Sequence, residues 1–101
     1  ISSMKRGGST YILTNKRHSV LYTGVTGDLR GRVYDHKTKR DPKSFTARYN
    51  CDILVYHISF STIEEAIAEE NRIKQLSRAK KLDLIFGMNP LWKDLYDSLE
   101  D

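Results

Sequence analysis

Ser9-Thr10-Tyr11-Ile12-Leu13-Thr14 and Val20-Leu21-Tyr22-Thr23-Gly24-Val25 decide how this chain folds. Both stretches are rich in β-branched and aromatic residues and alternate in character. The polar link Asn15-Lys16-Arg17-His18 joins them, so a β-hairpin is the natural reading. If Thr14 pairs with Ser19, Tyr11 lies directly opposite Tyr22, with Cβ atoms about 5 Å apart. Aromatic pairs across hairpins are ordinary packing, and Tyr34, Tyr49, Tyr56 and Tyr96 show that this chain uses tyrosine freely.

Working outward, Gly27-Asp28 opens a helical stretch to about Thr38, with Asp28 placed to cap its first N–H groups. Residues 39–50 form a long basic connection around Asp41-Pro42. A third strand spans Asp52 to Phe60, its apolar content being Ile53, Leu54, Val55, Tyr56 and Ile58. Ser61-Thr62-Ile63-Glu64 has the capping-box form, and the helix it starts should run to about Ser77. A further helix from Ala79 to Phe86 should end at Gly87. Asn89-Pro90 then begins a tail whose Leu91, Trp92, Leu95 and Tyr96 should pack back on the body. The elements make an α+β chain.

A chain of 101 residues has room for one core: a single domain over 9–101 behind a tail of residues 1–8. Ile1-Ser2-Ser3 ahead of Met4 read as leftover cloning sequence. With 39% hydrophobic and 30% charged residues the composition is that of an ordinary globular protein. No apolar run approaches the roughly 18 residues of a membrane helix, and no signal-peptide pattern is present. Cys51 is the single cysteine, which excludes an internal disulfide and a thiolate metal site. A cytoplasmic protein without a membrane role is the expectation.

The formal charge of +4 is unevenly spread. Arg30, Arg32, Lys37, Lys39, Arg40, Lys43 and Arg48 fall between Asp28 and Arg48 against three acidic residues, and Lys74, Arg78, Lys80 and Lys81 form a second basic stretch. Acidic residues collect at the end, as Asp94, Asp97, Glu100 and Asp101. Such segregation suits a polyanion such as nucleic acid, and equally a solvated surface. Arg30, Lys37, Lys39, Arg40, Lys43, Arg48 and Lys74 are the candidate phosphate contacts.

Three other positions carry chemistry. On a wheel of about 100° per residue, Ile63, Ala66, Ile67 and Ile73 make one apolar face, and Glu70 falls near its centre. A carboxylate there costs several kcal/mol unless a metal ion, an arginine or Lys74 compensates it. An i,i+4 pair with Lys74 is the ordinary explanation, worth about 0.3–0.5 kcal/mol on a surface. In the first helix, Arg32 and His36 lie one turn apart beside the stripe of Leu29 and Val33. A free phenol is ionised at only about one part in a thousand at neutral pH, so a tyrosine becomes a base only with help from such neighbours.

This set resembles the GIY-YIG nuclease superfamily, specifically its small stand-alone bacterial members. Tyr11 matches the tyrosine of the first motif, with Ser9-Thr10 in place of Gly-Ile, and Tyr22-Thr23-Gly24 matches the second. Arg32 and His36 match the arginine and histidine of the following helix, and Glu70 the metal-binding glutamate. Ser44-Phe45-Thr46-Ala47-Arg48, Ile73-Lys74-Gln75-Leu76-Ser77-Arg78 and Asn89-Pro90-Leu91-Trp92-Lys93-Asp94-Leu95 also resemble those members.

The resemblance implies a small three-stranded antiparallel sheet flanked by helices, and an endonuclease using Mg²⁺ or Mn²⁺ held by Glu70. Its substrate would be DNA, branched or single-stranded, in repair or recombination. Arg32 would stabilise charge on the phosphate, one of the two tyrosines, Tyr11 preferred, would take or relay the water's proton, and His36 would assist. The competing classes are a non-catalytic nucleic-acid-binding module and an interaction adaptor that binds a protein partner through the Trp92 region.

Overall fold

The computed structural model describes residues 7–99. Over them the chain runs β1 (Gly8–Thr14), β2 (Leu21–Thr26), α1 (Leu29–Lys37), α2 (Phe45–Arg48), β3 (Ile53–Phe60), α3 (Ile63–Lys74) and α4 (Arg78–Met88), closing in a 3-10 turn (Leu95–Ser98). The strands make one antiparallel sheet ordered β2-β1-β3, the α+β class expected. Of the tail placed at residues 1–8, the first six lie outside the described residues, as do Glu100 and Asp101. Gly8 already belongs to β1.

β1 is the middle strand and is buried at every position, because both of its faces are covered. Tyr11 and Leu13 pack with Val33 of α1, Cys51, Leu54 and the tail residues Leu95, Tyr96 and Leu99. Ile12 packs with Tyr56, Ile73 of α3, Ile85 of α4 and Trp92. Thr10 donates from Oγ1 to the Ala66 carbonyl at 2.7 Å, which straps α3 to the sheet. Pairing with β3 shifts by one residue between Ile12 and Leu13, whose partners are Tyr56 and Leu54, a β-bulge at Val55.

The hairpin register differs from the expected one. Thr14 pairs with Leu21, Leu13 with Tyr22, and Tyr11 with Gly24. The loop is two residues longer than assumed because Asn15 organises it. Its Oδ1 accepts from the Ser19 and Val20 N–H groups at 2.8 and 3.2 Å, and its Nδ2 donates to Ser19 Oγ. His18 takes the left-handed conformation, φ 58°. A slip of two preserves the faces of a strand. Tyr11 and Tyr22 therefore stay on one face, as diagonal rather than direct neighbours, with ring centroids 6.4 Å apart.

α1 starts as expected, with Asp28 Oδ1 accepting from the Gly31 N–H at 3.1 Å. The basic connection contains an unexpected helical turn, α2, capped by Ser44, whose Oγ accepts from the Ala47 N–H. The capping box sits one residue later than read: Thr62 is the N-cap and Glu65 its partner. Ala66 and Ile73 are buried on the inner face, while Ile67 is turned out, 42% exposed. α3 stops at Lys74 because Ser77 is already the N-cap of α4, and α4 continues through Gly87 to Met88.

The tail does fold back. Trp92 stacks on His18 at 4.4 Å, and Asp94 accepts from the Leu54 and Tyr96 N–H groups and pairs with Lys37. Leu91 remains exposed.

Candidate active site

Tyr11 is carried on the middle strand, and its ring lies over Gly24 of β2. A Cβ at position 24 would come within 2.5 Å of both the ring and the hydroxyl. Glycine is therefore needed here for close approach, and not for an unusual φ. Gly24→Ala should displace the Tyr11 phenol from its hydrogen bond while leaving the core in place. The displacement should be read as a shift of the His36 ring signals by NMR beside an unchanged circular dichroism spectrum.

The phenol ends on an imidazole. Tyr11 Oη lies 3.0 Å from His36 Nε2, and His36 Nδ1 lies 2.8 Å from Thr46 Oγ1. Tyr22 completes the group, with its ring 5.7 Å from that of His36. Burial pushes the Tyr11 phenol up to about 12, with the Tyr22 phenol adding to the rise; Arg32 pulls the other way, by charge and hydrogen bonding, and Glu70 again raises it. Burial also pulls His36 down to about 4, with the Arg32 charge adding to the effect and Asp35 opposing it. At neutral pH the pair is thus a neutral phenol on a neutral imidazole. With two buried ring nitrogens and a partner on each, one nitrogen must accept and the other donate.

Arg32, half exposed, stands 3.9 Å from Asp35. With His36, Asp35, Arg40, Asp41 and Ser44 it lines an open cavity of about 500 Å³. Glu70 projects from α3, which packs on β1 and β2, and its side chain is only 15% exposed. Its carboxylate meets Lys74 Nζ at 3.0 Å, with Lys74 itself 53% exposed. Glu70 therefore sits on the sheltered side of the helix and also has the i,i+4 partner.

Among the described residues no group of three or more His, Cys, Asp or Glu could cage a metal ion. A single, mostly sheltered carboxylate fits a Mg²⁺-type ion, which keeps several waters and takes one or two carboxylates plus substrate phosphate oxygens.

The basic candidates are not one surface. Lys37 is tied to Asp94 and the Asp52 carbonyl and lies over the Tyr96 ring. Arg30 lies over the same ring and donates to the Leu99 carbonyl. Both belong to the tail side of α1. Lys39 donates to Asn50 Oδ1, and Arg40 stands 3.4 Å from Asp35. Lys43 is exposed, and Arg48 lies over the Tyr49 ring. Lys74 lines a shallow cleft with Tyr22, Phe45 and Lys81. Cys51 is buried, and burial with Asp52 beside it raises its thiol to about 11, consistent with an inert packing residue. Asn89 is buried and satisfied by the Val55 and Lys93 backbone.

Sequence reading did not single out Phe45 and Thr46. Thr46 is buried against His36. Phe45 stacks on Tyr22 at 5.9 Å and meets Tyr49 at 4.7 Å. In sequence the stretch 44–48 stands out only for its resemblance; the local signal is Ser44 itself, an N-cap hidden in a basic run.

The GIY-YIG catalytic-domain family model matches residues 7–83. UPF0213 protein OB0043 of Oceanobacillus iheyensis is 43% identical over 75 residues, spanning 74% of this chain and 85% of that protein. UPF0213 protein SH2523 of Staphylococcus haemolyticus is 37% identical over 75 residues, 74% of this chain and 89% of its own length. The solution NMR structure of the UPF0213 protein BH0048 from Bacillus halodurans resembles the present one with a TM-score of 0.54 at 32% identity, covering 87% of this chain and 92% of that one. No helix among the described residues is long and apolar enough to cross a membrane.

Proposed function

The chain belongs to the GIY-YIG catalytic-domain family, and we propose that it is a divalent-metal-dependent endonuclease that hydrolyses DNA phosphodiester bonds. The observation that carries this reading is the buried Tyr11–His36 hydrogen bond at 3.0 Å, with Arg32 beside it and Glu70 within electrostatic reach of the phenol. A structural aromatic pair needs neither a buried imidazole nor a cation and a carboxylate around it.

The roles follow from the chemistry of each group. Glu70 would hold the Mg²⁺ or Mn²⁺, in place of its pairing with Lys74. When bound, the ion supplies Lewis-acid polarisation of the phosphate and a more acidic water. Arg32, half exposed at the cavity mouth, would offer its planar fork to the non-bridging oxygens as charge builds on them. Tyr11 would receive the proton of the attacking water, and His36 would take that of Tyr11. Tyr22 would hold both rings in place.

Phe45 and Tyr49 are large, exposed and in tilted contact at 4.7 Å, Phe45 stacks on Tyr22, and Arg48 lies over Tyr49. Aromatic platforms beside cations favour unpaired bases, so the domain would prefer single-stranded or branched DNA and act with little sequence selectivity, in repair or recombination.

The test is a nicking assay on single-stranded, branched and duplex DNA with Mg²⁺ or Mn²⁺. Arg32→Ala should lower cleavage about 10²–10³-fold and reduce the salt dependence of binding by about one phosphate contact. Undiminished cleavage by that variant would overturn the reading. Salt-sensitive binding by wild type without cleavage would leave a binding module instead.

A further inference from the structure

We propose that Thr46 and Ser44 form the outer half of a proton relay that starts at Tyr11, passes through His36 and ends in the cavity beside Arg32 and Arg40. The proposal rests on the nuclease reading for its chemistry and on hydrogen-bond geometry for its path. Tyr11 Oη to His36 Nε2 is 3.0 Å, His36 Nδ1 to Thr46 Oγ1 is 2.8 Å, and Thr46 Oγ1 to Ser44 Oγ is 3.2 Å. Tyr11, His36 and Thr46 are buried, whereas Ser44 lines the open cavity of about 500 Å³ with Arg32, Asp35, His36, Arg40 and Asp41. The chain of hydroxyls and imidazole thus joins the buried phenol to the open cavity at Ser44.

A relay is needed because neither inner group holds a net charge easily. The phenol is too basic to wait as a phenolate, and the imidazole too acidic to wait as an imidazolium. Concerted transfer avoids both. Tyr11 donates to Nε2, Nδ1–H to Thr46, and Thr46 to Ser44. The oxygen of the attacking water bonds to phosphorus, its proton passes to Tyr11 Oη, and the P–O ester bond breaks with the leaving oxygen taking a proton from solvent. Each relay member passes on its own proton and receives one, so a single proton emerges at Ser44 and no group is left charged. The imidazole ends as the other tautomer, and rotation of the hydroxyls resets it. Ser44 keeps its capping role throughout, since the Ala47 N–H uses only a lone pair.

Thr46→Val preserves shape and removes the hydroxyl. It should lower single-turnover cleavage about 10²-fold, the lower end for assisted proton transfer, with unchanged KM. Thr46→Ser should restore the rate to within about threefold, as one hydroxyl replaces another. Nitrogen-15 NMR of His36 in the free protein reads the same contact without substrate. The wild-type ring should carry its proton on Nδ1, and Thr46→Val should mix the tautomers. Wild-type cleavage by Thr46→Val, or a tautomer that it leaves unmoved, would overturn the relay. If Thr46→Val does not fold, cleavage by wild type in mixed H₂O and D₂O decides: a curved dependence supports several moving protons and a straight line overturns them. If wild type cleaves nothing, the nuclease reading fails by itself, and a wild-type ring protonated at Nε2 would still overturn the path.

Discussion

Glu70→Gln should leave a folded protein whose cleavage falls by at least about 10³-fold, the equivalent of the several kcal/mol that a divalent cation supplies to a charged transition state. Glutamine keeps the length and volume of the side chain and removes only the charge. The partner lost is Lys74, 53% exposed and 3.0 Å away. With Lys74 half exposed the pair is worth at most about 1 kcal/mol, and a neutral amide is easier than a carboxylate to hold on the sheltered side of α3. The melting temperature should therefore move little. Mn²⁺ binding followed by electron paramagnetic resonance should disappear with activity. A variant that still cleaves at a tenth of the wild-type rate would remove Glu70 from the site and leave its pairing with Lys74 as the whole of its role.

Tyr11→Phe should cost about 10²–10⁴-fold in cleavage, the range for a positioned proton acceptor. It should also cost stability, because His36 Nε2 has no other hydrogen-bond partner among the described residues and would be left buried and unpaired, a penalty of about 1–3 kcal/mol. Tyr22→Phe should have the smaller effect on rate, as that ring acts here by packing. The opposite order would move the acceptor role to Tyr22.

Acid should act on the same pair. His36 falls from an ordinary value of 6.5 to about 4 on folding, so the unfolded chain binds the proton more readily. The stability this contributes is complete above pH 6.5 and is lost as the pH falls from 6.5 towards 4, about 3 kcal/mol in all. Denaturant melts at pH 7 and pH 4.5, in wild type and His36→Gln, separate this contribution from that of the carboxylates.

Element types were readable because periodicity and caps were strong where they mattered. Alternation over 9–14 and 20–25 marked the hairpin, and the phase of Glu70 against Ala66 and Ile73 placed it on the inner side of α3. Registers were less readable, for local reasons. Ser61/Glu64 and Thr62/Glu65 satisfy the capping pattern equally, and the later pair wins where Glu65 accepts from both the Thr62 N–H and its hydroxyl. The hairpin loop carries no Gly to announce its turn, and it was Asn15 that lengthened it by two residues. The outcome was harmless to the site because an even slip keeps both tyrosines on one face. The stretch holding Thr46 resembles the family, but its contact with His36 was not readable: four residues of α2 have no periodicity, and a threonine amid basic residues looks like surface until His36 is found against it.

Tyr11 stands on a strand hydrogen-bonded on both sides and covered on both faces. Amides in such a strand open only when the whole molecule opens, whereas edge strands and loops exchange their hydrogens through smaller excursions. The Tyr11 phenol is therefore anchored in the last segment of the protein to exchange, while Arg32, Phe45 and Lys74, which would meet the substrate, stand on its more exposed periphery. Local breathing can loosen these exposed groups without disturbing the phenol, and the phenol itself is lost only together with the fold.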